Sequence, residues 1–466
     1  MSWLVLAATL MLAETDSQFS HSQTVRWAAQ PATTQPPLAN KDPVPGPAPG
    51  APEGVPTPQP FGRVTPRIEP YEEERPPVEE EVAPEVEVEE VEPGISLNRI
   101  IGLEDCGISL FGTQLIDFSS VMRGGANPGH WADRNYFDLG LAIDTERFLS
   151  QRWTGGTFFF LFQSVRGSDG SVDSGDALVF DNIDLPESRG QLAEAFYEQW
   201  LWDARLRIKL GKIDANSEFV FNDFSGDFIH SGFGPQPTTF DVLPTYPDPS
   251  TAINLFFYPN EHLSLTFGIF DGRLVEGAPT GRRGLDFGGP YWMVGEASVS
   301  YDLGCRRDGR LAVGGWGHTF NAFERLDGSG TQDGQAGLYV YLDQVLWLES
   351  PCDEENEQGI RAFVSYGIGD DDVNTFPQAI TAGLIWDGML ACRDDDIFGL
   401  GVAWGQFSDK DPTTDENAEV ATELFYRLSM TPCFSVQPAV HYVVNPSGDS
   451  TLDDAWIGTM RLIAEF

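Results

Sequence analysis

From about residue 106 onward, the chain alternates apolar and polar residues in short segments that Gly, Asp, Asn and Pro separate. An alternation with a period of two predicts β-strands that carry one apolar and one polar face. In the clearest segment, Phe434 and Val440 share one face, whereas Gln437 and His441 share the opposite face. We therefore expect an all-β protein.

Sixteen segments show this pattern, and an even number of strands is typical of a bacterial membrane barrel. The predicted spans are 107–121, 134–147, 153–166, 191–203, 205–214, 250–258, 262–271, 291–303, 310–320, 335–349, 360–369, 378–389, 397–407, 418–430, 434–444 and 455–466.

The connections between these segments alternate in length. Some are tight, such as Asp203-Ala204, and others are long, such as 167–190, 215–249 and 272–290. Outer-membrane barrels have short turns on the periplasmic side and longer loops on the extracellular side. The pattern therefore predicts a transmembrane antiparallel β-barrel of about 16 strands with short periplasmic turns and long extracellular loops.

No run of 18 apolar residues occurs, so helical membrane spans are not expected. Three features favour lipid outside the barrel and water inside it. The polar faces carry charges such as Glu296 and Arg427, and the apolar faces carry Trp202 and Trp347 near segment ends, as in an interfacial girdle. The last segment ends at Phe466, which resembles an outer-membrane assembly signal and predicts recognition by the barrel-assembly machinery.

The chain divides into three predicted regions. Residues 1–13 are apolar and resemble a secretory signal segment, although a buried first helix or a misassigned start is an alternative. Residues 14–95 are rich in Pro and Glu and predict a disordered periplasmic linker, whose alternative role is an arm that contacts the cell wall. Residues 96–466 form the predicted barrel domain.

The charge balance argues against one class of partner. The net charge is −43, and residues 1–95 contribute −11 of it, with 16 acidic and 5 basic residues. Proteins that bind nucleic acid carry basic patches, so no nucleic-acid partner is expected. An acidic excess of this size favours exposed loops that attract cations.

Several motifs resemble those of the carbohydrate-selective porin family, the OprB-type porins. Glu194-Ala-Phe-Tyr-Glu-Gln-Trp-Leu and Arg205 to Asp214 (RLRIKLGKID) are similar to two paired strands of the family. Phe228 to Pro235 (FIHSGFGP) is similar to its inward-folded loop, and Ser435 to Pro446 to its penultimate strand.

The resemblance covers roughly 96–466 and implies a sixteen-stranded barrel that conducts glucose and similar small sugars. The Pro/Glu-rich arm, the cysteines and the strong acidity depart from the family pattern. We therefore expect an outer-membrane porin for passive diffusion of carbohydrates through a water-filled barrel with an inward-folded constriction loop. The alternatives are a non-specific or cation-preferring porin, a secreted carbohydrate-binding β-protein and an outer-membrane barrel enzyme such as a lipase.

A sugar channel needs polar side chains for the hydroxyls, aromatic surfaces for the ring face, and weak binding. Arg207 and Lys209 alternate toward the lumen, and residues of the adjacent strand can pair with them. The loop 215–249 is the predicted constriction. The predicted pore-lining residues are Glu194, Glu198, Arg207, Lys209, Glu218, Phe219, Asp223, Phe228 and His230. The alternatives are a structural charge ladder, Phe rings that pin the loop to the wall, and a structural hydrogen-bonding role for His230.

The cysteines lie at or near the predicted short-turn ends. Cys305, Cys352, Cys392 and Cys433 are candidates for disulfides in the oxidising periplasm, with Cys106 at the start of the first strand. The connectivity is open, and free thiols at the rim are the alternative.

No catalytic constellation such as HExxH or GxSxG occurs, so no enzymatic activity is expected. No cofactor is expected either. The acidic clusters Asp169–Asp176, Asp370–Asp372 and Asp409–Asp415 could hold Ca²⁺, but none fits the helix-loop-helix pattern, and solvated loops are favoured.

Overall fold

The computed structural model describes residues 103, 106–149, 152–185, 187–351 and 356–466. The predicted segments 1–13 and 14–95 lie outside these ranges, and so does Cys352. Within them, no helix is both long and apolar enough to cross a membrane.

The described residues form 18 strands. Their bounds are β1 Ile108–Arg123, β2 Trp131–Asp144, β3 Gly156–Gly167, β4 Arg189–Leu201, β5 Leu206–Ile213, β6 Ser250–Phe257, β7 Leu263–Asp271, β8 Tyr291–Asp302, β9 Asp308–His318, β10 Phe323–Glu324, β11 Thr331–Gln332, β12 Gln335–Leu348, β13 Gly359–Ile368, β14 Gln378–Asp387, β15 Ile397–Gln406, β16 Ala418–Thr431, β17 Phe434–Val444 and β18 Ala455–Glu465. The short strands β10 and β11 pair with each other in a loop, and the other sixteen close into one antiparallel barrel, as predicted.

Among the described residues, helices are confined to the connections. They are the short α-helices α1 Thr145–Phe148 and α2 Ser171–Ser174 and the 3-10 helices Ala215–Ser217, Ser231–Phe233, Pro237–Thr239, Arg273–Glu276, Thr280–Arg282 and Pro446–Gly448. Helix α1 corrects one predicted boundary, because the second strand was expected to run to residue 147. The Asp144 carboxylate instead accepts the backbone N–H groups of Glu146 and Arg147 and ends β2 with a helix cap.

Strands β1 and β18 close the barrel, with Thr113 opposite Glu465. Phe466 extends this pairing, because the Gly112 N–H donates to its carbonyl at 2.9 Å and its own N–H donates to the Gly112 carbonyl at 3.1 Å. A Cβ atom at Gly112 would lie 2.7 Å from the Phe466 ring. Glycine at this position therefore lets the ring lie against the strand.

The two faces of each strand differ as the alternation predicts. On β18, Thr459 and Arg461 are buried in the lumen, whereas Met460 points outward with 40 % of its surface exposed. On β5, Arg207 and Lys209 are buried inside, whereas Leu210 is exposed outside. The wall thus carries an apolar outer face and a polar inner face, which suits lipid outside and a polar lumen.

Two long loops occupy the lumen, and we name them the β3–β4 loop (168–188) and the β5–β6 loop (214–249). Both are buried over much of their length. Phe228 and Phe233 of the β5–β6 loop pack in one cluster with Phe180 of the β3–β4 loop and with Phe363 and Phe425 of the wall. Burial of each such ring stabilises the inward position by roughly 1.5–3 kcal/mol.

The described cysteines lie at the short-turn end of the barrel, and no disulfide joins any two of them. Cys106, Cys305, Cys392 and Cys433 are free thiols. A disulfide between Cys392 and Cys433 is therefore absent, although their turns are neighbours. Cys305 and Cys392 occupy turn positions in the left-handed region, with φ of 58° and 65°.

Candidate functional site

The β5–β6 loop enters the lumen from the long-loop end and reaches almost to the short-turn end. It leaves β5 after Ile213, and its segment 221–227 contacts Arg310, the third residue of β9, and Arg427 near the end of β16. Both arginines lie close to short turns, so the loop runs through most of the depth of the barrel. A loop in this position narrows the lumen of the barrel.

Glu218 fixes the first part of this loop to the wall. Its carboxylate accepts from Arg207 Nη2 at 2.5 Å and from Lys209 Nζ at 2.8 Å. Burial alone would raise the pKa of Glu218, but the two cations outweigh burial and hold the pKa at about 2. The Glu218 carboxylate is therefore charged at neutral pH, and its charge-assisted bonds hold the loop against β5.

Arg310 and Arg427 hold the deepest part of the loop. Arg310 donates to Asp223 at 2.6 Å and to the Phe221 carbonyl at 2.8 Å, and its guanidinium also lies 3.3 Å from Asp343 of β12. Arg427 donates to Asp227 at 2.7 Å. Each arginine thus joins a wall strand to segment 221–227 through a carboxylate of the loop.

The next part of the loop meets β16 through its backbone. Glu423 accepts the N–H groups of Ile229 and His230 at 2.9 and 2.8 Å. His230 Nδ1 accepts the N–H of Gly232 at 3.0 Å. Burial lowers the pKa of His230 to about 3, so the ring is neutral at neutral pH and serves as a hydrogen-bond acceptor within the loop.

The β3–β4 loop is held to the wall by the same kind of contact. Arg134 lies 2.9 Å from Asp181 and 2.8 Å from Asp184. Arg461 of β18 pairs with Asp117 of β1 at 2.6 Å and lies 3.4 Å from Asp181. The wall supplies the cations and the loop supplies carboxylates, as in the β5–β6 loop.

The structure brings together four of the predicted pore-lining residues. Glu198, Arg207, Lys209 and Glu218 form one network, in which Arg207 lies 3.4 Å from Glu198. Glu194 is close by and accepts the N–H of Asp214 at 3.1 Å. These contacts agree with the alternative of a structural charge ladder, since each of these charged side chains has a partner within the protein.

The predicted aromatic contacts are buried. The ring of Phe219 packs 5.8 Å from that of Phe256, and Phe228 packs against Phe233 at 4.4 Å and Phe425 at 5.1 Å. Neither ring offers an open surface to a solute, so both hold the loop in place. Asp223 keeps part of its side chain exposed while it binds Arg310.

Sequence reasoning missed several lumen residues on later strands. Arg310, Asp343, Arg361 and Asp387 lie inside the barrel and make ion pairs. Each stands at a polar position of an alternating strand, and that signal could have identified them. No pattern in the sequence identifies their partners, which are 26 to 87 residues away: Arg361 binds Asp387 of the neighbouring strand, whereas Arg310 binds Asp223 of the β5–β6 loop.

Within the part of the chain that the structure describes, no group of three or more His, Cys, Asp or Glu side chains is arranged to hold a metal ion. The acidic cluster Asp370–Asp372 instead contacts neighbouring residues such as Arg325 and Lys410.

Solved structures share this fold. The high-pH structure of OprB from Pseudomonas putida matches with a TM-score of 0.70 at 18 % identity, over 78 % of this chain and 96 % of that one. The low-pH structure of the same porin matches with a TM-score of 0.52 at 15 % identity, over 79 % and 96 %. At these identities the likeness supports the fold alone. A search of curated protein sequences finds no match.

The family assignment comes from the sequence. The model of the carbohydrate-selective porin family, OprB type, matches residues 144–466. The match spans β3 to β18 and includes both inward loops. The chain therefore belongs to the OprB family of carbohydrate-selective porins, which are outer-membrane channel proteins.

Proposed function

We propose that this barrel passes glucose and similar small neutral sugars across the outer membrane by passive diffusion. The observation that carries the proposal is the family match over residues 144–466. The lumen agrees with it chemically, because its wall and loops place guanidinium, carboxylate and amide groups along the path. Such groups exchange hydrogen bonds with sugar hydroxyls without holding the sugar tightly.

Liposome swelling tests this function. Liposomes that contain the purified protein are diluted into isotonic glucose, maltose or sucrose, and the rate of light-scattering loss measures sugar entry. We expect the rate to fall with sugar size and to exceed that of liposomes with heat-denatured protein. Swelling no faster than in the denatured control would contradict the proposal.

A cation-preferring diffusion pore is the second candidate, and one observation favours it. The two inward loops contain twelve acidic residues and no Lys or Arg: Asp169, Asp173, Asp176, Asp181, Asp184 and Glu187 in 168–188, and Asp214, Glu218, Asp223, Asp227, Asp241 and Asp248 in 214–249. A lumen with excess carboxylate attracts cations. The two candidates are compatible, since a neutral sugar is indifferent to the sign of this charge.

We also propose three partners outside the pore. Phe466 ends the barrel seam in the register of a strand, and we assign its recognition to the barrel-assembly machinery. The Pro/Glu-rich region before the barrel is assigned to contact with the cell wall. Outer-membrane lipid covers the apolar outer wall.

A further inference from the structure

Segment 221–227 of the β5–β6 loop faces a group of lumen residues that remain accessible. Among the ion pairs described inside the barrel, most are closed off from solvent, as Arg134 with Asp181 is. Two pairs differ. Arg361 and Asp387 keep 19 % and 15 % of their side chains exposed, and Arg427 and Asp227 keep 20 % and 17 %. A solute can touch only accessible groups, so these pairs are the charged lumen groups best placed to meet one.

The strand register places these residues side by side. Asp387 of β14 lies opposite Ile397 of β15, and Ile397 lies opposite Arg427 of β16. Strands are about 4.8 Å apart, so a carboxylate, an apolar side chain and a guanidinium form a row about 10 Å wide. Arg427 also donates to Asp227 of the β5–β6 loop at 2.7 Å, so the row lies beside the loop.

An aromatic ring completes the group from the loop side. Phe224 is half-buried, and the Arg361 guanidinium lies 5.9 Å from the centre of its ring. Phe224 and Ile397 both pack on the edge of the same apolar cluster and are only partly covered by it. Apolar surface and paired donors and acceptors therefore meet at one accessible place.

We propose that Phe224, Ile397, Arg361, Asp387, Arg427 and Asp227 form a sugar subsite at the periplasmic mouth of the lumen. The inference rests on the proposed function and adds the place where the sugar is held. A pyranose has one weakly apolar ring face and a rim of hydroxyl groups. The ring face matches Phe224 and Ile397, and the hydroxyls match the two Arg–Asp pairs, which each offer a donor beside an acceptor.

The location follows from the strand ends. Asp387 is the last residue of β14, Ile397 is the first of β15, and Arg361 is the third of β13. Because neighbouring strands are antiparallel, these strand ends lie at the same end of the barrel as the tight turn between β16 and β17. Tight turns face the periplasm in this class of barrel. The subsite therefore lies beyond the most buried part of both loops, on the exit side for an entering sugar.

The test measures block of single-channel current by maltose in planar bilayers. Phe224→Leu removes the aromatic face and keeps an apolar side chain of similar size. We expect the maltose concentration for half-block to rise about tenfold, equivalent to about 1.4 kcal/mol. Phe224→Tyr should stay near the natural protein. Phe267→Leu is the matched control, because Phe267 lies on the outer wall with 45 % of its surface exposed.

A second variant tests the subsite without changing the packing of the Phe224 ring. Asp387→Asn keeps the shape of the side chain and removes the charge that pairs with Arg361, and we expect weaker maltose block here as well. Equal half-block concentrations for the natural protein, Phe224→Leu and Asp387→Asn would overturn the subsite. Such a result combined with normal sugar entry in liposome swelling would leave the proposed function standing, whereas absent swelling would count against the function itself.

Discussion

At the scale of single residues, Glu218 is a buried carboxylate that pairs with two cations of the barrel wall. It is buried between Arg207 and Lys209, and both cations belong to the same strand. Two neighbouring cations of one strand face repel each other, so the carboxylate between them stabilises β5 as well as the loop. Removal of one partner from a buried ion pair leaves an uncompensated charge and costs roughly 3–5 kcal/mol.

Glu218→Gln should therefore lower the stability of the barrel, and the loss should depend on pH. The folded pKa of about 2 lies below the ordinary value of 4.5. A carboxylate with a lowered pKa stabilises the fold fully above pH 4.5, and this contribution disappears as the pH falls toward 2. We expect the difference in melting temperature between the natural protein and Glu218→Gln to be constant from pH 7 to about 5 and to shrink below pH 4.5.

The measurement is thermal unfolding in detergent, followed by circular dichroism at several pH values. Glu261→Gln is the control, since Glu261 lies in an exposed turn and its removal should change little at any pH. A difference that persists unchanged at pH 3 would show that Glu218 acts through packing rather than through its charge.

At the scale of elements, the alternation predicts the strands, whereas the inward-folded loop 215–249 was predicted only through the family resemblance. β17 was predicted at 434–444 and is observed at Phe434–Val444. Successive residues of a barrel strand face lipid and lumen in turn, and this produces the apolar–polar alternation in the sequence. The residues of the β5–β6 loop show no such alternation that would indicate its inward course. Phe228 looks like any loop phenylalanine until the fold places Phe363 and Phe425 beside it. Long-range packing of this kind has no periodic signature in a single sequence.

The same packing predicts how the loop responds to a cavity. Phe228→Ala would remove a ring that contacts Phe233, Phe363 and Phe425, at a cost of roughly 3–5 kcal/mol. Because the cost falls on loop docking, we expect faster backbone hydrogen exchange across 221–233 while β13 and β16 stay protected.

Phe160→Ala is the matched control for that exchange experiment. Phe160 belongs to β3 and points outward, with no loop contact to lose. Equal exchange across 221–233 in the two variants would mean that the ion pairs alone hold the loop in the lumen.

At the scale of the whole molecule, acidic charge has two distinct locations. Part of it lies on exposed loops, where Asp409 keeps 79 % of its side chain exposed. Part of it lies inside the barrel, where Asp227 and Asp387 pair with arginines but remain partly accessible. Exposed charges are screened over about 10 Å at 0.1 M salt, whereas charges inside a narrow, partly buried lumen are screened less. Ionic strength therefore separates the contributions of the two locations to ion selectivity.

We expect the channel to prefer K⁺ over Cl⁻, as measured by the reversal potential under a KCl gradient across a planar bilayer. Asp227→Asn should reduce this preference at low and at high salt, because it removes a carboxylate from the lumen and leaves Arg427 less compensated. Asp409→Asn should reduce it only at low salt, since its charge lies on the outer surface. A Cl⁻ preference in the natural protein would rule out the cation-preferring pore. A preference that vanishes at high salt, and that Asp227→Asn leaves unchanged, would place the selectivity in the outer loops rather than in the constriction.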